Sequence, residues 1–190
     1  MTPSAGITIN TPDWVESFVP WNRRYATDSE KMHLAIALSQ ENVSHNTGGP
    51  FGAAIFSRDT GALFSVGTNS VVRHNNSVLH AEIVAIMSAQ ARMGSYTLRS
   101  ATGLGYELFT SCEPCAMCLG ATLWSGVTRL VSAAMREDAL HLGFEEGPVF
   151  DASLAYLEAR GVKIVRGVLR EEAKAVLDCY SADHGVIYNG

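Results

Sequence analysis

The spacing of apolar residues changes several times along the chain, and each change marks a predicted element. Over 28–43, Met32, Leu34, Ala35, Ile36 and Leu38 ride on a polar background at helical spacing, with Asp28 or Ser29 available to cap the start. Asn46-Thr47-Gly48-Gly49-Pro50 ends that helix. Two short strands, 51–57 and 62–67, then flank the turn Asp59-Thr60-Gly61. A polar loop over 69–77 leads into a helix that starts at His80, runs to about Met93 and stops at Gly94. Further on, 106–110 reads as a strand and 115–124 as a helix, with Pro114 near its first turn, where a missing N–H costs little. A strand at 128–133, helices at 136–142 and 153–160, a strand at 162–165 and a helix at 169–180 complete the series. Strands alternating with helices predict an α/β sandwich around a mixed sheet.

Residues 1–26 carry three prolines and the tryptophans Trp14 and Trp21 without clear periodicity. They are expected to form an arm packed on the domain surface or on a second subunit. Residues 27–190 then make the domain proper, with 170–190 as its C-terminal helix and tail. A chain of 190 residues with 47% hydrophobic composition can bury a core without disulfide staples. The formal net charge is −5, and Arg23-Arg24 is the only adjacent basic pair. Without a basic stripe to neutralise phosphates, a large nucleic-acid partner is not expected. Apolar runs such as 83–87 and 116–123 are far shorter than the roughly 20 residues that span a bilayer. Residues 1–10 lack a positive region followed by an apolar core, so a cytoplasmic protein is expected.

The chemistry concentrates at the cysteines. Cys112, Cys115 and Cys118 fall within seven residues and only Cys179 lies elsewhere, a poor layout for disulfides that close long loops. Cys115-x-x-Cys118 sets two thiols on one face of a helix's first turn, where the positive helix end stabilises thiolates. Zinc favours thiolate plus imidazole, and His80 begins another predicted helix. Three protein ligands leave the fourth position open, as in catalytic zinc sites. Cys112 is the alternative: as a fourth ligand it would close the site and make it structural. Two thiolates cancel the charge of the ion, so bound water is acidified less than by three imidazoles, and a nearby carboxylate must take the proton. Glu82, two residues after His80, is the candidate.

His80-Ala81-Glu82 and Pro114-Cys115-Ala116-Met117-Cys118 together resemble the zinc-dependent cytidine deaminase superfamily, whose signature is H-x-E…P-C-x-x-C. Gly49-Pro50-Phe51-Gly52-Ala53, Gly67-Thr68-Asn69 and Thr110-Ser111-Cys112-Glu113-Pro114 extend the resemblance over most of the chain. It implies a three-layer α/β/α sandwich with a central five-stranded mixed sheet and the metal between two helix N-termini. It also implies His80, Cys115 and Cys118 as ligands of Zn2+ and Glu82 as the proton shuttle. Within the superfamily, residues 110–124 look most like bacterial guanine deaminases. Gly143-Phe144-Glu145-Glu146-Gly147-Pro148 resembles their loop bearing a second acid, placed at Glu146 with Glu145 as the fallback. Residues 185–189 resemble a segment that closes over the pocket, often from the partner subunit of a homodimer. Phe51, Asn69, Trp124 and Tyr188 match positions that stack on or hydrogen-bond to the base. The resemblance implies hydrolysis of guanine, a free purine, to xanthine and ammonia. Cytosine, an ammeline-type triazine or tRNA adenosine are the other aminated rings to consider, and a non-catalytic zinc module is the reading of a different class.

Overall fold

The computed structural model describes residues 8–189. Along the chain run α1 (Trp14–Phe18), α2 (Asp28–Ser44), β1 (Gly52–Ser57), β2 (Leu63–Thr68), α3 (Val71–His74), α4 (Ala81–Met93) and β3 (Tyr106–Cys112). There follow α5 (Ala116–Ser125), β4 (Arg129–Ala134), α6 (Arg136–His141), α7 (Asp151–Ala159), β5 (Lys163–Val165) and α8 (Arg170–Ala182). The strands form one sheet in the order β2-β1-β3-β4-β5. β1 is antiparallel to β2 and β3, whereas β3, β4 and β5 are mutually parallel, so the sheet is mixed.

Side chains alternate across the strands and sort into two cores. Ala54, Phe56, Phe109 and Val131 face α2 and α8 on one side. Ala53, Ile55, Leu108 and Leu130 face α4, Leu119 of α5 and Leu157 of α7 on the other. The result is a three-layer α/β/α sandwich with a five-stranded mixed sheet, as expected. Every long predicted element is present, with ends displaced by a residue or two. The short helices α1 and α3 were not legible, because neither completes an apolar repeat.

One local expectation changes, and one alternative is selected for the described residues. The cap of α2 is Thr27 rather than Asp28 or Ser29: its hydroxyl accepts the Glu30 N–H at 3.2 Å, and the Glu30 carboxylate accepts the Thr27 N–H at 3.0 Å. This reciprocal pairing satisfies two donors that helix geometry leaves free. The described part of the arm also packs on its own domain, since Val15, Val19 and Tyr25 are buried in the core shared with α2.

One glycine positions the site. A Cβ on Gly67 would lie 2.2 Å from the Ala81 carbonyl oxygen and 2.4 Å from the Ala85 nitrogen, so only glycine lets the first turns of α4 lie this close to β2. The obstacle is backbone and cannot swing aside. Gly67→Ala is expected to cost about 1–3 kcal/mol of stability in urea unfolding, the usual range for overpacking. It should also lower metal content per chain, measured by elemental analysis, because α4 carries His80.

Candidate metal centre

The sheet topology brings four strand ends to one edge: the start of β1 and the ends of β2, β3 and β4. Over this edge α4 and α5 present their N-termini. His80 is the residue that caps α4, and Cys115 is the residue that caps α5, with Cys118 in the same first turn. Free N–H groups and the aligned helix dipoles make this edge electropositive, which favours thiolate.

The donor atoms of His80, Cys115 and Cys118 all lie within 4.8 Å of one another. Cys115 Sγ stands 3.6 Å from His80 Nδ1. Tetrahedral zinc, with bonds of about 2.3 Å to sulfur and about 2.1 Å to nitrogen, sets such a pair of donors about 3.6 Å apart. Donor chemistry and spacing therefore fit zinc. The Cys115 thiol is lowered to about 4, chiefly by its hydrogen bond with Cys118 and then by His80, so one of the two sulfurs is already thiolate. Cys118 is correspondingly raised, because it supplies the proton of that bond and is buried.

Two carboxylates share the cavity of about 180 Å³ beside this cluster, whose lining includes Phe51, Glu82, Phe144, Glu146 and Tyr188. Both are nearly buried, Glu82 at 6% and Glu146 at 7% exposure. Burial is the main cause that raises each above the ordinary carboxylate range, with the Cys115 thiolate adding to it. Glu146 reaches about 8. Its main chain is fixed by the Ala116 N–H, which donates to the Glu146 carbonyl at 2.9 Å. Glu145, the fallback acid, is exposed and accepts the Gly147 N–H at 2.8 Å with its carboxylate.

The remaining expected positions divide. Phe51 lies edge-on to Phe144, with ring centroids 5.0 Å apart, in the cavity wall. Asn69 is fully buried and outside the cavity lining; its Oδ1 accepts the N–H groups of Val71 at 3.3 Å and Gly49 at 3.4 Å, and its Nδ2, directed toward Tyr188 of that lining, has no other partner. Tyr188 also has a buried hydroxyl without a partner, and its ring sits against Gly49, where a Cβ would come within 2.3 Å of the phenolic oxygen. In the single chain described, the tail lies over the pocket of its own domain. Trp124 is not brought to this chain's cavity. It is 80% exposed and outside the cavity lining. Six residues beyond Cys118, it stands about 240° further round the helix and so faces away from the metal cluster.

Three contributors escaped the sequence reading. Asn42 of α2 donates through Nδ2 to the carbonyls of Gly49 at 2.8 Å and Asn69 at 2.9 Å, lacing two site loops together. Asn189 accepts the Glu145 N–H at 2.8 Å and donates to the Gly143 carbonyl at 2.8 Å, clipping the tail to the acid-bearing loop. Glu113 accepts the Arg136 N–H at 2.9 Å and pairs with Arg166, steadying the approach to Cys115. A lone Asn in a helix or a tail carries no pattern that separates it from a surface residue. Glu113, inside the motif itself, did offer a signal.

A mixed sheet with an imidazole, two thiols and unpaired carboxylates at converging helix ends defines a zinc-dependent hydrolytic deaminase. The chain belongs to the cytidine and deoxycytidylate deaminase family, whose zinc-binding region matches residues 25–134. Among its relatives, guanine deaminase of Bacillus subtilis is 36% identical over 137 residues, spanning 72% of this chain and 83% of that one. Among solved structures, guanine deaminase from Nitrosomonas europaea superposes with a TM-score of 0.88 at 41% identity, covering 95% of this chain and 98% of the other. The protein NE0047 in complex with 2,6-diaminopurine matches equally well, with a TM-score of 0.88, 44% identity and 96% of each chain covered.

Cys112 is buried, and its thiol is directed to the Met135 carbonyl at 3.8 Å rather than to the donor cluster. Cys112→Ala is therefore expected to retain one zinc per chain in elemental analysis, whereas Cys118→Ala loses it.

Proposed function

We propose that this protein hydrolyses the 2-amino group of guanine, giving xanthine and ammonia, with His80, Cys115 and Cys118 holding zinc. Bound there, zinc supplies the Lewis acidity that makes water a competent nucleophile near neutral pH. The observation that carries the reading is the pair of buried carboxylates, Glu82 and Glu146, beside a three-donor cluster. Burial raises each above the ordinary carboxylate range, which suits a group that must accept and return a proton. Glu82 takes the proton of the attacking water and delivers it to a ring nitrogen. Glu146 carries the second proton to the departing ammonia.

The other residues bind and orient. Asn69 Nδ2, a buried donor with no protein partner, is matched to an acceptor on the base. Phe51 and Phe144 supply an apolar wall for a flat ring, and Tyr188 closes the cavity against water. Guanine is favoured over other aminated rings by two guanine deaminase relatives, one matching 95% and the other 72% of this chain. The net charge of −5 disfavours tRNA, which demands cationic surface.

The working form we infer is a homodimer. Ile83 and Met87 of α4 and Met117, Ala121 and Trp124 of α5 form an apolar strip on the outer layer, with Met87 and Trp124 well exposed. Its chemistry suits a second copy. No helix among the described residues is long and apolar enough to cross a membrane. All four cysteines are free, and thiolate ligands need a reducing setting, which favours the cytoplasm.

Ammonia release from guanine, cytosine, adenine and ammeline by the zinc-loaded protein tests the substrate, and turnover of guanine above the other three is expected. Glu82→Gln should keep its zinc while kcat falls by about 10²–10⁴, the range for losing general acid–base help. Near-normal kcat in that variant would remove Glu82 from the reaction.

A further inference from the structure

The arm before α2 has no part in the metal cluster, yet it touches both loops that hold Asn69. Trp14 lies flat on His45, with ring centroids 5.3 Å apart and planes 9° apart. Its Nε1–H donates to Thr47 Oγ1 at 3.0 Å. Thr47 Oγ1 donates in turn to Asn42 Oδ1 at 2.8 Å. Asn42 Nδ2 donates to the Gly49 carbonyl and to the Asn69 carbonyl, at 2.8 and 2.9 Å. On the other side of Asn69, the Asn10 carbonyl accepts from Arg73 and lies 3.2 Å from His74 Nε2, both on α3.

The direction of this relay follows from donor chemistry. An indole N–H can only donate, so Trp14 occupies a lone pair of Thr47 and turns its hydroxyl proton to Asn42. Asn42 must then present its oxygen to Thr47 and its NH₂ to the two loop carbonyls. Those bonds hold the Asn69 main chain, and the N–H groups of Val71 at 3.3 Å and Gly49 at 3.4 Å both donate to Asn69 Oδ1. The chain of bonds ends at the buried Nδ2 of Asn69, which lies toward the hydroxyl of Tyr188, a residue of the cavity lining, and has no other protein partner. Asn42 is fully buried and Trp14 half-buried, so solvent does not substitute freely for the links.

We propose that Trp14 is a positioning residue: through Thr47 and Asn42 it fixes the orientation of Asn69, so the arm sets the affinity of the pocket for its base. This rests on the reading of Asn69 as the base-binding amide given under Proposed function. The arm then supports the binding site, although none of its described residues lines the cavity.

The test uses full-length zinc-loaded protein and 8-azaguanine as the probe. Trp14→Phe keeps an aromatic ring over His45 and deletes only the donor. Thr47→Val deletes the hydroxyl, and Thr47→Ser restores it. Trp14→Phe and Thr47→Val should each raise the Kd of 8-azaguanine and the KM for guanine by about 3–10-fold, the worth of one net hydrogen bond. Kcat and zinc content should stay within about twofold of the parent values, and Thr47→Ser should match the parent. In an Asn69→Ala background, Trp14→Phe should add no further loss, since its effect passes through Asn69. Unchanged Kd in Trp14→Phe, or the same loss with and without Asn69, overturns the proposal. A ligand-free measurement separates it from the substrate reading: amide exchange of Val71, whose N–H is bonded to Asn69 Oδ1, should rise several-fold in Trp14→Phe and Thr47→Val but not in Thr47→Ser. If the parent binds no purine yet this exchange pattern appears, the relay stands and the guanine reading falls. If the exchange is unmoved, the relay falls.

Discussion

Two helix N-termini aimed at one point govern this molecule. His80 and Cys115 are each the residue at which an extended chain turns into a helix, so their side chains leave the backbone at the place where free N–H groups gather. That arrangement stabilises thiolate before any ion arrives and lets three donors converge from segments 35 residues apart in the chain, as in the 3.6 Å approach of Cys115 Sγ to His80 Nδ1. The sheet order places the ends of β2 and β3 next to the start of β1, and the close seat of α4 on Gly67 brings its ligand into reach. The buried carboxylates come from either side of the cluster, Glu82 in the first turn of α4 and Glu146 in the segment between α6 and α7, whose carbonyl accepts the Ala116 N–H of α5.

Much of this was legible in the residues. Helical and strand periods located every long element, because each carries a full apolar repeat and ends at a glycine, proline or polar cluster. The metal donors were legible because their chemistry allows few substitutes and their spacing is short. What escaped was whatever depends on long-range meeting of ordinary residues. Asn42 and Asn189 act through bonds to main-chain groups distant in sequence and Thr47 through side-chain bonds to Trp14 and Asn42, and a lone amide or hydroxyl carries no periodic mark. Trp124 shows the opposite case: a position that matched a base contact stands on the outer face of α5, where it is 80% exposed in the single chain.

The terminal segments change the picture of where the site stops. The tail is held at two points, Tyr188 against Gly49 and Asn189 on the Gly143–Glu145 loop, so closing the cavity and placing the loop of Glu146 are one event. The arm is held at two points as well, Trp14 on Thr47 and Asn10 on α3, and these flank Asn69. The donor cluster on the helix ends is thus flanked by the described arm and the tail, each tied by hydrogen bonds to loops around the cavity.

Zinc K-edge X-ray absorption of the purified holoprotein tests the central claim most directly. The account predicts one ion per chain bound by two sulfurs at about 2.3 Å and by light atoms at about 2.0–2.1 Å, one of them the imidazole nitrogen. A shell containing three sulfurs would bring Cys112 into the coordination sphere, close the vacant position and contradict it.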